Sequence, residues 1–323
     1  AYSVQFQLFD PFRGTQLVGY RMPASRGTMR QVAHRAADMI YEKLTGIKGV
    51  FATRVAYVTA EERGDGRLYR LIVSDQDGEN EYTILESPDP IMSPAWSPDS
   101  RQLAYVSFEG SRSSIYVQTL RTGNRILASS EPGVNGAPAF SPDGRQLVMT
   151  LGGADGNLDI YVMDLATRST RRLTTHRAID TEGSWSPDGR YIYFNSDRAG
   201  GPQVYRVAVS GGSPERVTFE GSYNARPRLS PDGKKLAVVH NDRGNFRIAV
   251  YDLERDNQMV IVSAGRQDES PSFAPNSDTL IYATRESRNG ELETVTADGL
   301  IRQRIQSGGG DVREPVWSPF PRY

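Results

Sequence analysis

Phe140-Ser-Pro-Asp-Gly144 is one of six versions of a single short motif. The others are Trp96-Ser-Pro-Asp-Ser100, Trp185-Ser-Pro-Asp-Gly189, Leu229-Ser-Pro-Asp-Gly233, Phe273-Ala-Pro-Asn-Ser277 and Trp317-Ser-Pro-Phe320. Their prolines, Pro98, Pro142, Pro187, Pro231, Pro275 and Pro319, are spaced by 44, 45, 44, 44 and 44 residues. A period this regular marks a repeat architecture. The motif itself reads as a turn. Proline presets its φ, Ser and Asp side chains bond nearby backbone, and Gly accepts a positive φ.

Around each turn the sequence spells four short strands. In one repeat they are Ala137–Ser141, Gln146–Leu151, Leu158–Asp164 and Thr170–Thr174, with the motif joining the first two as a tight hairpin. Runs such as Leu103-Ala-Tyr-Val-Ser107 and Ile248-Ala-Val-Tyr251 are nearly continuous in apolar residues, as strands covered on both faces are. Four-stranded units of this length, stacked in a ring, predict a β-propeller. The last motif has no room after it for three more strands. Conversely, Arg54–Thr59, Leu68–Ser74 and Glu81–Leu85 have no motif before them. The two ends therefore complete one unit, giving six blades closed by the C-terminal strand, which removes open sheet edges.

The first fifty residues fall outside the period. Val4–Leu8 and Gln16–Arg21 alternate like a hairpin, and Thr28 to Leu44 carries apolar residues at helical intervals (Met29, Val32, Ala33, Ala36, Ile40, Leu44). Thr28 and Gln31 have capping-box spacing, and Gly46 suits a helix stop. A hairpin with one helix is too small to stand alone. The expected fold class is therefore mainly β, a six-bladed β-propeller over residues 50–323. Residues 1–49 are expected to be the C-terminal part of a partial N-terminal α/β domain that begins before Ala1. The chain opens without Met, a charged leader segment or an apolar one, so any signal peptide is expected to be gone. The short Thr45–Val50 junction implies that the two parts touch.

Composition narrows the function. The 323 residues include 38 Lys+Arg and 39 Asp+Glu, too balanced for nucleic-acid binding by bulk charge. Zero cysteines exclude disulfides, thiolate metal sites and cysteine nucleophiles. No run approaches the ~18 apolar residues of a spanning helix, so no membrane insertion is expected. No nucleophile elbow, phosphate-binding loop or dinucleotide fingerprint occurs. His34, His176 and His240 are the only histidines, and none has a second at metal-ligand spacing. Glu61-Glu62 and the Asp75/Asp77 pair read as solvated turn residues. The Trp or Phe that opens each motif reads as packing between blades. The catalytic and metal-site expectation is none.

One set departs from the regular scaffold. Just before each inner strand, at one rim of the channel, stand Val134-Asn-Gly-Ala137, Thr181-Glu182, Asn224-Ala-Arg226, Asp268-Glu-Ser270 and Arg313-Glu314. Proline recurs beside them at Pro94, Pro138, Pro227, Pro271 and Pro315, while their own charge and size vary. A variable loop on a rigid scaffold is where binding residues gather. Simple loop drift is the competing explanation.

Several segments carry a family resemblance: Glu42-Lys-Leu-Thr-Gly-Ile-Lys-Gly49, Met92-Ser-Pro-Ala-Trp-Ser-Pro98, Asn135 to Gly144, Tyr161-Val-Met-Asp-Leu165 and Pro315-Val-Trp-Ser-Pro319. Over its whole length the chain resembles the TolB family of periplasmic propellers of the Tol–Pal envelope system. The resemblance implies a non-enzymatic periplasmic adaptor that supports outer-membrane integrity and cell division. It would bind the lipoprotein Pal through the propeller rim and channel mouth, on the face away from the N-terminal part. Matching the family pattern gives Asn135, Ala137, Thr181 and Glu182 as contacts, with Val134 and Glu269 beside them. The rim reading adds Asn224, Arg226 and Glu314. Glu182→Arg is then expected to weaken Pal binding without unfolding the ring. The resemblance further implies a TolA contact through an N-terminal segment outside this chain, bacteriocins as further ligands, a monomer, and room for a channel cation such as calcium but no other cofactor. The alternative class is a propeller hydrolase or glycosidase domain.

Overall fold

The Ser-Pro-Asp-Gly turns form as their chemistry dictates. In the computed structural model, which describes residues 2–64, 66–153, 156–286, 289–306 and 309–321, Gly144 N–H donates to Ser141 O at 2.8 Å with Gly144 at φ +73°. The Ser141 hydroxyl donates to Asp143 Oδ1 at 2.6 Å and accepts from Gln146 N–H at 2.9 Å, and Asp143 Oδ1 also accepts from Arg145 N–H. The same set recurs at Ser97/Asp99, Ser186/Asp188 and Ser230/Asp232. These donors favour the ionised carboxylate. Led by its serine hydroxyl, they hold Asp143 below its ordinary value and bring Asp188 down to about 2. A depressed folded-state value means stability that is present above the unfolded value near 3.9 and lost as pH falls through the folded one. Thermal melts between neutral pH and pH ~2 should therefore show a steep loss below pH ~4 that Asp188→Asn makes shallower. A melting curve flat through that window would contradict it.

Among the described residues the strands make six four-stranded sheets and one hairpin. Five sheets run in chain order, for example Asn135–Phe140, Gln146–Gly152, Leu158–Asp164 and Thr170–Arg172. In the sixth, Asp311–Trp317 lies beside Arg54–Arg63, followed by Gly66–Asp75 and Tyr82–Ser87, so the last strand closes the first blade. The inner strands begin earlier than the sequence pattern suggests, at Asn135, Asp180, Asn224, Asp268 and Asp311, so the rim residues other than Val134 are part of them. Glu61 and Glu62 also lie in a strand, not a turn, and Glu61 pairs with Arg70 at 3.0 Å.

Blades adhere through apolar clusters shared by neighbours, such as Val148, Ile160 and Val162 against Trp185, Ile192 and Phe194. The motif tryptophans are buried at these seams. Trp96 Nε1 donates to Val316 O and Trp185 Nε1 to Ala139 O, each on the preceding blade, at 3.1 Å. They pack and tie blades, as expected.

Tyr2–Asp10 and Thr15–Ala24 form the hairpin, and Met29–Thr45 the helix. Gly46 ends the helix at φ +75°, its N–H donating to Glu42 O. The capping box does not form: Thr28 has no side-chain cap bond, and its Oγ1 accepts from Ser25 N–H at 2.9 Å instead. Of the predicted apolar face only Val32 is buried. The helix is held to the ring by polar contacts. Arg30 pairs with Asp75 at 2.9 Å and with Asp77, so these aspartates are anchors, not solvated turn residues. Asp38 accepts from Phe51 and Ala52 N–H at 2.7 and 3.1 Å. Gly49 passes so close that a Cβ there would lie 2.4 Å from Asp38 Oδ1. Lys48 O accepts from Asn276, in the turn that ends one inner strand. The helix thus sits at the end of the ring where inner strands finish.

Candidate partner-binding site

At the opposite end, where the inner strands begin, a cavity of about 630 Å³ opens into the channel. Val134, Ala137, Thr181, Glu182, Arg226 and Glu269 line it, so six of the nine predicted rim residues converge there. Two do not face it. Asn135 and Asn224 are 1% and 0% exposed. Asn135 Oδ1 accepts from Ser129 Oγ and Glu131 N–H, and Asn224 is bonded to Gln203, Glu220 O and His240. Their equivalents Asp180 and Asp268 are buried and bonded likewise. This position braces the preceding loop at Asn135, Asn224 and Asp268 and holds Arg198 at Asp180, and it leaves the contact set because its side chains have no free surface. Glu314, the ninth, does not line the cavity and pairs with Arg226.

Two residues further on, each inner strand carries a bulge that places a non-glycine residue at positive φ: Ser93, Ala137, Glu182, Arg226, Ser270 and Glu314, between 45° and 57°. Side chains rarely hold this conformation, so its sixfold recurrence is imposed by the ring. Here identity varies most. Arg226 Nε lies 2.9 Å from Glu182 Oε1, its Nη2 3.5 Å from Glu314 Oε1, and its Nη1 donates to Ser270 Oγ. One side chain thus reaches three other blades. Burial opposes its charge, but Glu182, Glu314 and Glu269 outweigh that and push its pKa up. Glu182→Arg would therefore set two guanidiniums against each other inside the ring, and it does not test the surface alone.

The outer mouth has further residues without a periodic signature. Arg285 Nη2 donates to both oxygens of Asp311 at 2.8 Å, and Arg313 Nε donates to Asp311 at 2.8 Å. These donors hold Asp311 below its ordinary value despite the burial that works against it. Tyr223 meets Phe246 edge-on at 5.2 Å. Val134 is 45% exposed and Ile179 49%, an apolar edge to the mouth.

No catalytic constellation gathers at the mouth among the described residues. His240 is buried against Asn224, and burial pushes its pKa down. His34 lies 3.6 and 3.9 Å from Asp77 and Asp75, a set that sequence spacing did not reveal. Arg30 already holds both carboxylates. In the channel, all four carboxylate oxygens of Glu182 and Glu314 have protein partners: Oε1 of each is ion-paired with Arg226, and the Oε2 atoms accept from Asn195 Nδ2 and from Ser93 N–H. Calcium takes six to eight oxygen ligands, and this donor set does not fit it alongside Arg226.

Comparison with known proteins places this geometry. The family described as TolB beta propeller domain matches residues 41–321. The chain is 51% identical over 321 residues to the Tol-Pal system protein TolB of Xanthomonas oryzae pv. oryzae, covering 99% of this chain and 73% of the relative. This chain belongs to the TolB family. The TolB protein of Xanthomonas campestris pv. campestris matches with the same identity and coverage. The crystal structure of TolB from Acinetobacter baumannii superposes with a TM-score of 0.91 at 44% identity, covering 98% of this chain and 79% of that one. The TolB propeller is thus the scaffold on which the mouth is built. No helix among the described residues is long and apolar enough to cross a membrane.

Proposed function

We propose that this chain is a non-enzymatic periplasmic adaptor that binds the lipoprotein Pal at the channel mouth. Residues 1–49 are the end of an α/β domain, and the ring from residue 50 carries the contact. The observation that carries this reading is the convergence of six rim residues on one preformed cavity, on the face opposite the helix. A rigid mouth limits the ordering cost of association, and a few central residues should dominate its affinity. Val134, Ala137, Thr181 and Glu269 form the contact set, with Glu182, Arg226 and Glu314 shaping its floor. Support of outer-membrane integrity and cell division, TolA contact through a preceding segment, and bacteriocin binding at the same face follow from the same reading. The absence of a catalytic set among the described mouth residues favours the adaptor over a propeller hydrolase or glycosidase.

Val134→Asp is the cleaner probe, because Val134 is 45% exposed and its loss leaves the ring's ties intact. It should weaken Pal binding about tenfold or more, about 1.4 kcal/mol, with an unchanged melting temperature. Calorimetry against soluble Pal measures this. Unchanged affinity would take the mouth out of the interface, and no binding by the unaltered chain would sink the adaptor reading.

A further inference from the structure

The floor of the channel poses a charge problem that two different chemistries can solve. Glu182 and Glu314 project into it from blades on either side of the axis, partly buried, with side chains 22% and 11% exposed. Carboxylates brought together away from water need a counter-cation. A divalent ion is one solution and a guanidinium another. The equivalent positions on the other blades show which was taken: Ser93, Ala137 and Ser270 are small, and only Arg226 is both long and cationic. It spans the channel to both carboxylates and to Ser270. A second arginine, Arg228, also lies under the field of these two glutamates, though burial pulls its pKa down. The remaining carboxylate oxygens are taken by Asn195 and by the Ser93 N–H.

We propose that Arg226 is the fixed cation of the channel, occupying the place between Glu182 and Glu314 that a divalent metal ion would otherwise take, so that the ring holds together without one. A tethered cation cannot be lost to chelators or dilution, and its planar fork bonds several acceptors at once. Removing it should create the very site it fills. Glu182 and Glu314 would supply carboxylate oxygens, Ser93 and Ser270 lie beside them, and Asn195 Oδ1 is a buried oxygen with no protein hydrogen-bond partner. Hard oxygen donors of this kind suit calcium.

The test compares thermal melts in EDTA and in millimolar calcium chloride for the unaltered chain, Arg226→Gln and Arg226→Lys. The unaltered chain should melt at the same temperature in both and give no calcium-binding heat in calorimetry. Arg226→Gln should melt several degrees lower in EDTA and recover most of that loss in calcium, since a ligand that binds only the folded state raises its stability. Arg226→Lys, which keeps the charge, should fold without calcium even if the glutamine variant does not. Three results would overturn the proposal: a calcium response of the unaltered chain that Glu314→Gln removes, a glutamine variant indifferent to calcium, or a lysine variant as calcium-dependent as the glutamine one.

Discussion

Deleting the last strand, Asp311–Trp317, is expected to abolish cooperative folding of the ring. That strand pairs with Arg54–Arg63 and packs beside the inner strand Asp268–Phe273. Without it the first blade keeps only the three strands that precede Ile91, and its inner edge faces solvent. A propeller gains its stability from neighbour-to-neighbour seams, and opening one seam exposes apolar faces on both sides of the gap. Trp317 shows how much one residue holds there. It is 5% exposed, its Nε1 donates to Thr53 Oγ1 at 2.7 Å, and its N–H donates to Ser272 Oγ at 2.9 Å. Trp317→Ala leaves a cavity between the first and last blades and removes the Nε1 bond to Thr53, while the backbone N–H bond to Ser272 stays, a cost of about 3–5 kcal/mol. Chemical denaturation should show that loss for the point variant. The deletion should show no cooperative transition and should bind dyes that report exposed apolar surface. A deletion variant with a sharp transition near that of the full chain would mean that the ring does not depend on this closure.

The ring was legible because its information is local and repeated. A turn of four residues, six times over, fixes blade number, strand order and the closing strand. The helix was legible for the same reason, from its apolar spacing and Gly46. Its capping box was misread because Ser25 offers Thr28 a nearer partner than the helix backbone does, a competition invisible in a spacing rule. Its contacts were misread because burial was expected to be apolar, whereas Arg30 and Asp38 reach residues beyond the helix and bind it through charge and backbone donors.

At the mouth the outcome divides by the same logic. Asn135, Asp180, Asn224 and Asp268 recur at the repeat interval, and that regularity already marks them as scaffold. Treating each rim stretch as one variable block hid it. The neighbouring position, where Ala137, Glu182, Arg226 and Glu314 differ, is the one open to the channel. That these charges meet could not be read from a linear sequence. Glu182 and Arg226 are separated by a whole repeat, and only ring closure brings Glu314 to the same guanidinium. The Arg285–Asp311–Arg313 cluster was missed because Arg285 follows the strand Thr279–Thr284 while Asp311 and Arg313 belong to the closing strand, and spacing along the chain does not show that they meet.

The buried pair of Asp180 and Arg198 carries the second large effect. Asp180 opens an inner strand and is 0% exposed. Arg198 Nη2 donates to its two oxygens at 2.9 and 2.8 Å, Nε donates to Ser196 Oγ at 2.8 Å, and the guanidinium lies over the rings of Phe194 and Tyr205. Arg198→Met keeps most of the apolar stem but leaves a carboxylate buried without its counter-charge. Breaking a buried pair in this way costs about 3–5 kcal/mol, more than the pair contributes as a unit. Asp180→Asn in the same chain removes the stranded charge, so the double variant should recover much of the loss. Because Thr181 and Glu182 follow directly, the proposed binding of Pal should also weaken in the single variant at temperatures where it is still folded, and the double variant should regain part of it. A double-mutant cycle read by urea denaturation and by Pal calorimetry measures both. A single-variant loss below about 1 kcal/mol would place Asp180 in contact with water and make the pair a surface one.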